Sequence, residues 1–306
     1  MNISDQANSW LTQFKIEITS SSNKVFGNGR QQLEATVSVA PRTNTTITDE
    51  QLASIALVTL DDDGVYRELN GALKASETRD PVFQYFADTG SAPSNLEIRG
   101  PARRKRFYVS SSRSGGSLDK LYARISKNAD THYVTDVGAF KSSIIVESIT
   151  PLRYEVQDLE LTAEDELDTA NVDIDVYYLK FKNPKLQIVK SVSLNESDDE
   201  DYHYRRCFAT SQGAHPGAIG SWFTHYAFEV GARFPFSAGQ STVTLNQRPG
   251  QMNLVRTITN EPFYTSRPQN YAHRSRWALF DQYGNDRKIE VTQTDNGNRI
   301  SFKRLD

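Results

Sequence analysis

Cys207, His203, His215 and His225 put four sulfur and nitrogen donors within 23 residues. By type they could hold zinc, or pair a thiol nucleophile with an imidazole base. Their spacing argues against both. Three residues separate His203 from Cys207 and seven separate Cys207 from His215, whereas zinc ligands usually come in tight pairs. On one strand, His203 and Cys207 would share a face but stand about 13 Å apart along it. A lone cysteine is more simply a small buried hydrophobe, and it excludes an intrachain disulfide. Asp61-Asp62-Asp63-Gly64 and Asp198-Asp199-Glu200-Asp201 crowd carboxylates as a calcium site does. Neither has the alternating ligand spacing of a calcium loop. Glu164 and Asp168 would share a face only if their segment is helical, and exposed acids are the commoner case. No Gly-x-Ser-x-Gly elbow, phosphate loop or dinucleotide glycine fingerprint occurs. The reading is a protein without cofactor, metal or catalytic residues, with a hydrolase on a β scaffold as an alternative.

Charge offers a second kind of chemistry. Arg99, Arg103, Arg104, Lys105 and Arg106, followed by Arg113, form a basic run; between Glu97 and Lys127 nine Lys/Arg face two acids. Such a cluster could grip sulfated glycans, phosphates or anionic lipid headgroups, or could be a solvated loop that guards a sheet edge. From Glu155 to Asp201, fourteen acids face four lysines. A basic middle and an acidic second half suggest head-to-tail pairing with other protein subunits or with a second copy. The net charge of −3 argues against a nucleic-acid binder. Tyr264, Arg267, Tyr271, His273 and Arg274 lie in a polar, aromatic loop whose composition suits recognition.

These residues need elements to position them. With 306 residues, the chain is long enough for about two domains. Alternation with period two dominates, as in Phe14 to Thr19, Leu33 to Val39, Ile55 to Leu60 and Val172 to Lys182. Many short strands with regular turns predict an all-β fold: two antiparallel β-sandwich modules in tandem, immunoglobulin-like or jelly-roll-like, with very little helix. The boundary falls near Thr150-Pro151, giving modules 1–150 and 151–306, with a close-packed junction because no Gly/Ser linker intervenes. Thr48 and Gln51 outline a capping box for one short helix, and Thr162 to Leu167 outlines a second. Asp295-Asn296-Gly297-Asn298 predicts a tight hairpin of type I′. In Trp222 to Phe236, one face (Trp222, Thr224, Tyr226, Phe228) reads as core. The other (Phe223, His225, Glu229) could be exposed for stacking on sugar rings, although core packing is favoured.

Val25-Phe26-Gly27-Asn28-Gly29-Arg30-Gln31-Gln32-Leu33-Glu34-Ala35-Thr36-Val37 resembles the bacterial immunoglobulin-like modules of invasins and intimins. So does Asp281-Gln282-Tyr283-Gly284-Asn285, which follows Trp277. The resemblance implies a scaffold or adhesion role and carries no catalytic residues. No apolar stretch is long enough to span a membrane as a helix. Met1 to Gln6 lacks the regions of a secretory signal, an expectation of cytoplasmic synthesis with non-classical export or assembly into a particle. The function expected is a non-enzymatic structural or interaction protein, an accessory component of a bacterial surface, phage-tail-like or toxin-delivery assembly. A glycan- or lipid-binding sandwich is the alternative.

Overall fold

The structure, a computed structural model, describes residues 7, 9–86, 102–194, 207–212, 222–259 and 275–305. The chain divides into two compact units, Met1–Pro151 and Leu152–Asp306. It is nearly all β, and no helix among the described residues is long and apolar enough to cross a membrane.

In the first unit, β1 (Leu11–Ile18), β3 (Leu33–Pro41), β7 (Arg103–Ser111) and β6 (Leu73–Ser76) form one sheet in that order. The second sheet runs β2 (Lys24–Phe26), β10 (Ile144–Ile149), β8 (Leu118–Asn128), β4 (Ala56–Leu60), β5 (Tyr66–Glu68), with β9 (Thr131–Val134) also paired to β8. Every pairing is antiparallel except that of β2 with β10, where Lys24 to Phe26 run parallel to Glu147 to Ile149. Alternation turns Phe14, Ile16, Val37 and Val109 of the first sheet onto Leu57, Leu121, Ile125 and Val146 of the second, forming one dry core. Burial of such side chains contributes roughly 1.5–3 kcal/mol each, which is why a period-two pattern suffices to select this sandwich.

A five-residue helix, α1 (Asp49–Ala53), carries the chain from the first sheet to the second. Its start is the capping box read in the sequence: the Thr48 hydroxyl accepts from Gln51 N at 3.1 Å, and the Gln51 amide oxygen accepts from Thr48 N at 3.0 Å.

The second unit is built on a five-stranded sheet, β11 (Leu159–Asp168), β12 (Val172–Phe181), β18 (Met252–Thr259), β15 (Trp222–Ala227), β14 (Cys207–Gln212). One face packs on β13 (Ile188–Ser193), β19 (Ser275–Asp281), β20 (Asp286–Thr294) and β21 (Arg299–Arg304) through Tyr177, Leu179, Leu254, Trp277 and Ile289. The other face is covered by the hairpin of β16 (Phe234–Ala238) and β17 (Ser241–Leu245), through Ile174, Val176, Tyr226, Phe236 and Val255. The central strand β18 is therefore buried at all eight positions. That two-sided burial explains why its sequence, Met-Asn-Leu-Val-Arg-Thr-Ile-Thr, lacks clean alternation.

Three expectations are corrected and one alternative is set aside. Thr162 to Leu167 is strand, inside β11, because its ladder with β12 from Leu159–Phe181 to Asp168–Asp173 outweighs the helical propensity of an acidic run. The Asp295–Asn298 connection is a four-residue loop with a 3₁₀ turn, and Asp295 takes positive φ (54°) beside Gly297 (94°). Phe223 and His225 are buried, the core packing that the sequence favoured over sugar stacking, since both faces of β15 are covered. The basic run from Arg103 is part of a strand rather than a loop, and because β6 pairs β7 only from Tyr108 to Ser111, Arg103–Phe107 is bonded to β3 on one side while no described strand pairs its other side.

Candidate functional site

Strand geometry sorts the basic run into two faces. Arg103 and Lys105 lie opposite Val39 and Val37 of β3 and turn to the inner face, whereas Arg104 and Arg106 turn outward. At this end of the sandwich the inner face meets α1. Lys105 lays its stem toward Phe107, with the ammonium 5.2 Å from the ring centroid, and its side chain is only 10% exposed. Its three protons are all used: on Ala53 O at 2.6 Å, Ile55 O at 3.0 Å, and the Glu77 carboxylate at 2.8 Å. Arg103 donates to Ile47 O at 2.8 Å and pairs with Asp49. Outside, Arg106 lies 3.8 Å from Glu34, and Arg113 pairs with Asp119 at 3.0 Å.

The basic residues thus clamp the helix that links the two sheets, with acids of their own unit as partners. A cleft of about 400 Å³ opens beside them, lined by Ile55, Leu57, Glu68, Glu77, Lys105 and Phe107. Glu68 is itself paired with Arg124, so the cleft walls are closed ion pairs on an apolar floor. Arg99 lies outside the described residues, as do Tyr264, Arg267, Tyr271, His273 and Arg274, and also Asp198 to Asp201.

The second unit holds a charged row that the sequence reading did not single out. Register places Asp165 of β11 opposite Asp175 of β12, Asp175 opposite Arg256 of β18, and Arg256 opposite His225 of β15. Directly opposed residues share a face, so these side chains line up across four strands, on the face turned to the four-stranded sheet. The Arg256 guanidinium, 5% exposed, donates Nε to Asp175 at 2.7 Å, Nη2 to Asp173 at 2.9 Å and Nη1 to Asn298 Oδ1 at 3.0 Å. Burial pushes the Asp175 carboxyl above the usual carboxylate range, against the opposing pull of Arg256. His225 is fully buried and places Nε2 2.6 Å from the Gly297 carbonyl oxygen. A carbonyl only accepts, so Nε2 carries the proton.

Asp165, Asp173 and Asp175 bring carboxylate oxygens within 4.8 Å of one another, the spacing a cation would need. Arg256 already supplies positive charge between Asp173 and Asp175, and the row ties the sheet to the β20–β21 loop through Gly297 and Asn298. The signal was present in the sequence: an arginine within Leu254-Val255-Arg256-Thr257-Ile258 requires a buried acid, and Asp173 and Asp175 alternate with Ile174 and Val176.

Of the zinc and thiol candidates, Cys207 opens β14 opposite Tyr226, and His225 opposes Ala209. His203 and His215 lie outside the described residues. In Asp61-Asp62-Asp63-Gly64 the first carboxylate is occupied by the backbone: Asp61 Oδ1 accepts from Asp63 N at 3.1 Å and Val65 N at 2.7 Å. No family model matches the chain, and no curated protein matches it either.

Proposed function

We propose that this chain is a non-enzymatic structural or interaction protein, a two-module β-sandwich component of a larger assembly of the bacterial-surface, phage-tail-like or toxin-delivery kind. The observation that carries this reading is where its ionisable side chains are spent. Arg103 and Lys105 hold α1, Arg256 holds Asp173 and Asp175, and His225 holds the Gly297 carbonyl. Groups that could have served as acid, base or anion grip are fastening the fold instead.

An immunoglobulin-like first module is the finer form of the proposal. Immunoglobulin sandwiches set strands A, B, E and D against G, F and C. Lettered along the chain, β1, β3, β7 and β6 fall in the first order and β10, β8 and β4 in the second. This supports the reading, and such modules serve as scaffolds and adhesion units.

The test is size-exclusion chromatography with light scattering at low and high salt. A species heavier than one chain is expected. One chain's mass at every salt and concentration would count against a self-assembling component and turn attention to a different partner.

A further inference from the structure

The two sheets of the first unit have unlike outer faces. The first presents Lys15, Glu17, Glu34, Arg104 and Arg106, a charged surface that holds water. The second presents large apolar side chains. Leu118 is 68% exposed, Ile145 48% and Leu60 45%. They are neighbours rather than scattered. Leu118 and Ile145 lie on adjoining strands, opposite Glu147 and Lys120 respectively. Leu60 is two residues beyond Val58, whose partner on β8 is Tyr122. A cluster of exposed apolar residues rimmed by charge marks an interaction surface, where single exposed residues do not.

We infer that the outer face of β10, β8, β4 and β5 is a self-association surface through which two copies of this chain pack sheet to sheet about a two-fold axis. The inference rests on the interaction reading above and names its surface. The argument for a second copy is the charge on this face. Lys120 and Glu147 flank the apolar pair diagonally, and among the described residues neither forms an ion pair. A two-fold interface makes residue i meet j while j meets i. One cation and one anion on a single face therefore give two cross-pairs, Lys120 to Glu147 of the second copy and the reverse, around a centre of Leu118 and Ile145. Four strands about 4.8 Å apart and roughly five residues long make a face of roughly 20 Å by 17 Å. This is small beside the roughly 800 Å² per partner of a standard interface, so the dimer is weak and forms only at high concentration.

Analytical ultracentrifugation of the full chain, up to on the order of 100 μM, tests this. The wild-type mass is expected to rise toward two chains. Leu118→Gln is expected to stay at one chain, with a nearly unchanged unfolding midpoint because the position is exposed and the substitution sets no like charge opposite Glu147. Lys120→Glu and Glu147→Lys, each placing like charges opposite one another, are expected to weaken the dimer at least about tenfold, and the double variant is expected to restore it. Association undiminished in all three single variants overturns this face while leaving the interaction reading in place. A wild type that stays at one chain throughout overturns both the face and self-assembly.

Discussion

Asp61 and Asp281 do the same work in two different hairpins, one in each unit. Each opens an Asp-x-x-Gly turn, joining β4 to β5 and β19 to β20. Each Oδ1 accepts the N–H groups two and four residues on: Asp63 and Val65 in the first hairpin, and Tyr283 and Asn285, both at 2.8 Å, in the second. Each backbone N–H closes the loop onto the carbonyl four residues later, at 3.0 and 2.9 Å. The fourth position is filled by Gly64 and Gly284, with φ of 77° and 78°, a conformation glycine adopts without strain. The carboxylates differ in setting. Asp61 pairs with exposed Arg67, whereas Asp281 is fully buried and takes the Tyr154 hydroxyl and the Asn285 amide.

Removing the two carboxylates should therefore have unequal effects. Asp281→Ala strips a buried turn and leaves the Tyr154 hydroxyl without its acceptor, a loss of about 3 kcal/mol or more. Asp61→Ala, in an exposed turn, should lose a small fraction of that. Urea unfolding midpoints of the two variants decide the matter, and equal losses would contradict the burial argument.

Arg256→Met leaves Asp173 and Asp175, both partly buried, without their cation and should destabilise by about 2–3 kcal/mol, below the range for a fully buried pair. Asp175→Asn should be far milder, because the raised pKa means the fold already disfavours the charged form. The sign follows from linkage: where the folded pKa exceeds the unfolded one, the folded state binds more protons and gains stability as pH falls. Wild type should thus gain on the Asn variant as pH drops through the Asp175 pKa. Asp61 is lowered, chiefly by Arg67 and then by the Val65 N–H. Its contribution is present above the unfolded carboxylate value and lost as pH falls through the folded one. Melting temperatures of wild type, Asp175→Asn and Asp61→Asn across acidic pH separate the two trends.

Lys105→Met keeps the stem over Phe107 and removes the three donors, orphaning the Ala53 and Ile55 carbonyls. A loss of about 1–3 kcal/mol is expected, together with faster amide exchange in α1. Arg106→Ala, whose side chain is 66% exposed, should stay within about 0.5 kcal/mol of wild type. Equal effects at the two positions would mean that the run does not sort by face.

Alkaline titration should reveal protected phenols. Burial, aided by the Asp136 carboxylate, pushes Tyr66 up to about 12. An unfolded tyrosine titrates near 10, so the stability due to neutral Tyr66 is full below about pH 10 and is lost as pH rises through about 12. Phenolate absorbance should show a late step that Tyr66→Phe diminishes.

Much of the fold was legible, because one-sided strands write their burial into alternate residues. Leu33 to Val39 and the Thr48–Gln51 box stand where the sequence put them. Strands covered on both sides carry no such pattern, so burial of Phe223 and His225 could be favoured from their ring and strand context but not read from alternation. Thr162 to Leu167 misled because its acids favour a helix locally, while its pairing with β12 is set far away in the chain. The charged row was harder still: Asp165, Asp175, Arg256 and His225 meet only through the register of four strands. The basic run was conspicuous in sequence, yet its role depends on α1 lying above Arg103 and Lys105.

The parallel pairing of β2 with β10 bears on how the first unit would carry load. β2 lies near the unit's start and β10 at its end, and both point the same way. Tension that reaches them through the chain pulls the two strands past each other lengthwise. The ladder from Lys24 to Phe26, extended by Gly27 N on Ile149 O at 2.9 Å, must then give way all at once instead of unzipping bond by bond. A module strung in line with others is thereby built to resist stretching at the seam where its two ends meet.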